Sequence, residues 1–165
     1  MPEGKIDLQK LDQQEQQDFE TTKQIMTQIF NAYNVKIEMT QMPRFYHYDA
    51  TMVAKKGNEV KKKYTLEIKQ NNFIGELDYL PIRCKKYANI IQNTKKDETP
   101  LAIYLCANGT YYVFDLKKLD LNKVIVKNWN IAKVQYTNTQ TYEVKPTFFM
   151  PITEAQYTGT YAHNQ

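Results

Sequence analysis

The run Leu101-Ala102-Ile103-Tyr104-Leu105-Cys106 constrains the fold of this chain more than any other segment. It is continuously apolar and follows Pro100, the pattern of a strand covered on both faces rather than one with a wet side. A sheet containing such a strand needs a layer on each side, which points to an α/β sandwich. With 165 residues, 42% of them hydrophobic, the chain can bury one such core and is too short for two.

The segments around that strand supply the layers. Phe19, Met26, Ile29, Phe30 and Tyr33 recur at helical spacing and predict an amphipathic helix from Asp18 to about Asn34. The Gln-rich, acidic stretch before it is expected to be a frayed, solvated lead-in over residues 1–17. Val35 to Glu38 and Arg44 to Ala54 are strand-like, Lys55-Lys56-Gly57-Asn58-Glu59 has turn chemistry, and Val60 to Lys69 returns as the second arm of a hairpin. Pro81 is expected in the first turn of a second helix whose buried stripe is Leu80, Cys84, Tyr87, Ala88 and Ile91. Beyond Cys106, Asn108-Gly109 leads into a strand over Tyr111 to Phe114, and further strands are expected over Lys123 to Asn128 and Ile131 to Tyr136. The core domain is expected to span residues 18–145, with 146–165 a docked tail or an arm. The expected fold class is therefore α/β, a mixed sheet flanked by helices with extra C-terminal strands.

Cys84 and Cys106 are isolated, so neither a disulfide framework nor a thiolate zinc site is indicated. No N-terminal apolar run resembles a signal peptide or a membrane span. The expected setting is the cytoplasm of a bacterial or phage-infected cell, the latter because Lys, Asn, Gln and Tyr are abundant, as in AT-rich genomes. No serine nucleophile exists, since the chain has no serine, and five glycines leave no phosphate-cradling loop.

Two motifs carry chemistry. Asp49 stands in the first arm of the hairpin, and Glu67-Ile68-Lys69 stands in the second, eighteen residues after it. Strand alternation puts Glu67 and Lys69 on one face while Leu66 and Ile68 point to the core. Two carboxylates on neighbouring strands can hold a hard divalent cation, and a lysine beside them can orient an attacking water or offset phosphate charge. Acidic-x-Lys occurs five times, at Glu3, Glu59, Glu67, Asp115 and Glu143. The Glu67 copy alone combines an upstream strand aspartate with a following amphipathic helix. Asp115, with Asp97 upstream of it, is its serious rival. The bland reading makes Asp49 a strand-end cap and Glu67-Lys69 a surface ion pair.

This arrangement, from Asp18 to Phe114, resembles the PD-(D/E)XK nucleases. The resemblance implies a restriction-endonuclease-like αβββαβ core and a Mg²⁺- or Mn²⁺-dependent nuclease acting on DNA. Asp49, Glu67 and the backbone carbonyl of Ile68 would be metal ligands and Lys69 the catalytic lysine. Many members also have a glutamate in the first helix, for which Glu20 is the candidate, with Glu15 the alternative if the helix register shifts. Tyr48 stands where the family's name has proline.

The net charge is only +4, yet Lys55, Lys56, Lys61, Lys62 and Lys63 crowd the hairpin turn. They form either a solvated turn or a phosphate-gripping flap beside the site. Gln70, Arg83 and Lys86 are further candidates for nucleic-acid contact, and His47 would share a face with Asp49 in a regular strand. A homodimer is compatible with all of this. Two other readings compete with a nuclease: a nucleic-acid-binding or accessory protein on the same fold without metal, and a protein-interaction domain.

Overall fold

A computed structural model of the chain describes residues 8–73, 75–133 and 141–162. In chain order its elements are helix α1 (Leu8–Asn31), strands β1 (Lys36–Gln41), β2 (Ala50–Lys56), β3 (Glu59–Asn71) and β4 (Tyr79–Arg83), helix α2 (Cys84–Asn93), strands β5 (Glu98–Cys106), β6 (Thr110–Asp115), β7 (Ile125–Lys133) and β8 (Thr141–Pro151), and, after one 3-10 turn, β9 (Tyr157–Thr160). A six-stranded mixed sheet has the order β1-β2-β3-β5-β6-β9, and a three-stranded sheet the order β4-β8-β7. In the larger sheet β3 and β5 pair in parallel and the other neighbours antiparallel. Parallel neighbours cannot be joined by a tight turn. The chain makes the crossover through β4 and α2.

The apolar run is buried on both faces as its sequence requires. Leu101, Ile103 and Leu105 join the core under α1 with Phe19, Met26, Met52 and Leu66. Ala102, Tyr104 and Cys106 belong to a second core with Leu80, Ile82, Ile90, Phe114 and Met150. The Tyr104 hydroxyl, at the centre of that second core, donates to the Pro81 carbonyl at 2.8 Å, so the buried phenol is satisfied.

Four expectations need correction. First, α1 begins at Leu8, not near Asp18. The Gln-rich stretch consists of good helix formers that lack only an apolar stripe, and its residues are mostly exposed. Second, Pro81 does not open a helix. It lies in β4, opposite Phe149 of β8, and the helix starts at Cys84. The fully buried pair Leu80 and Ile82 shows the alternation of a strand, and β4 is an edge strand, where proline is tolerated. Third, the boundary at residue 145 falls inside β8; beyond it β9 pairs with β6 and closes one edge of the larger sheet, as a docked segment rather than a free arm. Fourth, the strands expected over Lys123–Asn128 and Ile131–Tyr136 are one strand, β7, as far as Lys133; Val134 to Tyr136 lie outside the described residues. Among the described residues no helix is long and apolar enough to cross a membrane.

Candidate active site

Alternation along β3 divides its side chains between the layers. Leu66 is fully buried under α1, with Ile68 packed against the same cluster, so Glu67 and Lys69 fall on the opposite face. Strand β2 meets this segment antiparallel, Ala50 opposite Leu66, and its pairing runs one residue further. There the Asp49 N–H donates to the Leu66 carbonyl at 2.9 Å, while the Asp49 carbonyl accepts from Met42 N–H at 2.8 Å. The chain before Asp49 is thus a loop, not the regular strand expected over Arg44–Ala54, and exposed His47 lies in that loop rather than on a strand face with Asp49.

Where β2 ends, the aspartate side chain takes over the ladder. The Ile68 N–H, which has no further β2 carbonyl to meet, donates to Asp49 Oδ2 at 2.7 Å. The N–H and C=O of one strand residue lie on the same edge, so the Ile68 carbonyl faces the edge that Asp49 caps. This bond explains why an aspartate suits position 49. It engages one oxygen and, among the described residues, no donor engages the other.

Glu67 is only 4% exposed, and both its oxygens lie near ammonium groups: Oε1 is 3.2 Å from Lys69 Nζ, and Oε2 is 3.1 Å from Lys86 Nζ. Lys86 approaches without hydrogen-bond alignment, so Oε2 is buried with no hydrogen bond. A buried carboxylate with an unbonded oxygen is costly unless a cation compensates it. The surface ion-pair reading is therefore wrong for this copy. It holds for Glu59 with Lys61 and for Glu143 with Lys145, whose acids are exposed. Asp115, the rival, accepts from the N–H groups of Lys117 and Lys118 at 3.0 and 3.3 Å and is a turn cap. The Glu3 copy lies outside the described residues.

Around Asp49, Glu67, Ile68 and Lys69 opens a cleft of about 480 Å³, walled by α1, by the loop from Met42 to Tyr46 and by Lys86. Crowding against the protein, then the negative charge of Glu67, push the Asp49 carboxyl up to about 6, against the bond from Ile68 and the charges of Lys86 and Lys69. The residue is open to the cleft, so entering water screens part of this effect.

Glu20, the glutamate expected from the first helix, is exposed, bonded to Gln16 and outside the cleft. Glu15 and Asp18 line the cleft instead. Asp18 accepts from Gln14 at 2.9 Å and from Gln70 at 2.7 Å, and burial raises its carboxyl above the usual aspartate range. Gln70, a candidate for nucleic-acid contact, is thus engaged with α1. The stripe containing Phe19, Thr22 and Met26, continued backwards at helical spacing, meets Asp18, Glu15 and Leu11, so this signal was present in the sequence.

The lysine-rich turn is not beside the site. It closes the far end of the hairpin: Lys56 lies seven residues along β2 from Asp49, about 23 Å away at the rise of a strand. Its lysines also have local partners. Lys55 pairs with Glu38 at 2.9 Å, Lys63 with Asp97 at 3.9 Å, and Lys62 lies over the Tyr64 ring. The cations beside Glu67 are Lys69 and Lys86, and Arg44 lines the same cleft from the loop. From Lys86 a second groove runs along the start of α2, lined by Arg83, Lys85 and Lys145.

Among the described residues no three His, Cys, Asp or Glu side chains form a metal cluster. The two carboxylates still fit a hard cation, because Mg²⁺ uses one or two protein carboxylates and fills its shell with waters and substrate oxygens. The unbonded Glu67 Oε2 and the second Asp49 oxygen are donors of that kind. Proton and cation would then compete for Asp49. In the metal-free chain its raised pKa makes the folded state hold the proton longer than the unfolded chain does. The stability this contributes is full below about pH 4 and is lost as pH rises through about 6. A cation prefers the ionised form, so Mn²⁺ is expected to raise the melting temperature at pH 7.5 and not at pH 5, with no shift at either pH in Asp49→Asn. An equal Mn²⁺ shift at both pH values would exclude Asp49 as a ligand.

Comparisons with protein-family models, with curated proteins and with solved structures gave no match.

Proposed function

We propose that the chain is a divalent-metal-dependent nuclease of the PD-(D/E)XK type, hydrolysing phosphodiester bonds of DNA. The observation that carries this is the meeting of Asp49 with Glu67-Ile68-Lys69 at the end of two paired strands, one acid buried and short of a hydrogen bond. The element order supports it: α1, β1, β2, β3, α2 and β5 follow the αβββαβ order of that family, with β4 inserted before α2. In this reading β7 and β8 are additions.

Asp49, Glu67 and the Ile68 carbonyl would hold Mg²⁺ or Mn²⁺, which when bound shields phosphate charge and supplies hydroxide near neutral pH. The chain's own groups supply the rest. Asp49 is locked by backbone and side-chain bonds, so its carboxylate needs no reordering on binding. Lys69 is 30% exposed, enough to reach the cleft, and orients or deprotonates the attacking water. Lys86 offsets charge on the substrate.

Labelled single-stranded, duplex and branched DNA incubated with Mg²⁺ or Mn²⁺ is expected to be cleaved by the wild-type chain and not by Glu67→Ala, Lys69→Ala. Equal cleavage by both would sink the reading. One observation favours a second reading, an accessory nucleic-acid-binding protein: two lysines already neutralise Glu67, where a cation would otherwise do so. It predicts binding to DNA with no metal requirement and no cleavage.

A further inference from the structure

Phe45 is the most exposed large apolar side chain among the described residues, at 88%, and it lies at the mouth of the cleft. Its backbone is also unusual. The Tyr46 N–H donates to the Pro43 carbonyl at 3.1 Å, closing a β-turn, and Phe45 occupies the third turn position with φ of +67°. That position favours glycine or asparagine, whose backbones enter the left-handed region with little strain. A phenylalanine there gains nothing from local preference and, exposed as it is, almost nothing from burial. Folding gives no account of this residue.

The surroundings anchor the turn that carries the ring. Arg44, beside it in the turn, ion-pairs with Asp12 and Glu15 of α1. On the other side Tyr46 packs edge-on against Tyr48, which is buried, and Asp49 is locked into the ladder. With Arg44 committed to two carboxylates, what the turn offers a substrate is an aromatic face rather than a phosphate grip.

We infer that Phe45 is a stacking platform for an unpaired base next to the scissile phosphate, so the substrate is single-stranded or locally unpaired DNA. This rests on the nuclease reading of the adjoining site. Every base has a π-face that an aromatic ring can cover, but in a duplex both faces are already occupied by neighbouring pairs. An exposed ring on an anchored turn beside a phosphodiester site thus selects strands whose bases are free. Because stacking depends little on base identity, this contact confers preference for strand state rather than for sequence.

Fluorescence anisotropy of the full chain in EDTA, with a labelled single-stranded oligonucleotide and the same sequence as duplex, tests the inference without requiring cleavage. Phe45→Gly is expected to lose roughly tenfold or more in single-strand affinity. Its duplex affinity should change less than about twofold, and its melting temperature should stay level or rise, since glycine relieves the positive φ. Phe45→Trp should keep single-strand affinity, with indole fluorescence quenched on binding more than in the wild type, whose one tryptophan is Trp129. Undiminished single-strand binding by Phe45→Gly, or equal losses on both substrates, overturns the inference. If the wild type nonetheless cleaves DNA with Mn²⁺, the nuclease reading survives that result. If the wild type neither binds nor cleaves, both fall.

Discussion

Glu67→Gln is expected to abolish cleavage while leaving the chain folded. The substitution keeps the shape of the side chain and an oxygen acceptor for Lys69, but removes the charge that would hold a divalent cation. Electrostatic stabilisation by a bound metal is worth several kcal/mol in the transition state. At about 1.4 kcal/mol per factor of ten, its loss means roughly a thousandfold or more in rate.

Stability is the subtler part of this prediction. Glu67 is buried between two ammonium groups, so removing its charge leaves Lys69 and Lys86 with Asp49 as the remaining nearby carboxylate. Breaking a fully buried pair costs about 3–5 kcal/mol, but that figure is too large here. Both lysines keep part of their surface exposed, at 30% and 20%, and can turn toward water; Asp49 is also relieved of a like charge. We expect a loss of about 2 kcal/mol or less, measurable by urea denaturation of wild type and variant without metal. A folded Glu67→Gln retaining a tenth of wild-type cleavage would remove Glu67 from the site. A variant destabilised by the full buried-pair amount would make its role structural.

Much of this arrangement was legible in the residues before any geometry. The face shared by Glu67 and Lys69 follows from alternation once Leu66 and Ile68 are assigned to the core, and the doubly buried β5 follows from its uninterrupted apolar run. Other features depended on tertiary context that short windows do not contain. The stripe Leu80, Cys84, Tyr87, Ala88, Ile91 matches a helix by period, yet Leu80 belongs to a strand because β8 is there to pair with it. Pro81 fits both assignments, as a first-turn residue or on an edge strand, so it could not decide between them. Glu20 failed for a different reason. It lies on the exposed side of α1, whereas the cleft opens beside Asp18 and Glu15, on the backward continuation of the buried stripe. The lysine-rich turn drew attention through composition, while a strand's rise carries it away from Asp49. Phe45 gave no signal at all, because positive φ in a turn is announced by glycine or asparagine and not by an aromatic residue.

The two lysines are expected to separate kinetically, although both lie within about 3.2 Å of the same carboxylate. Lys69 rises from the strand that also carries Glu67, so its position relative to the acid is set by one rigid element. Lys86 comes from the first turn of α2 and stands where the cleft around Asp49 and Glu67 meets the groove of Arg83, Lys85 and Lys145. A cation taking up the oxygens of Glu67 would compete with both ammonium groups and release them to other anions. Lys69 is then placed for the reacting water, and Lys86 for a substrate phosphate further along the strand. Lys69→Ala should therefore lower kcat by about 10²–10⁴-fold with KM little changed, the range for loss of a proton-handling group. Lys86→Ala should raise KM by roughly tenfold with kcat within a few-fold of wild type. Its remaining KM should also depend less steeply on salt, as expected when one phosphate contact is lost. Steady-state kinetics of the two variants at several salt concentrations decides the matter: the opposite split would exchange their roles, and equal kcat losses would mean that both act on the reacting centre.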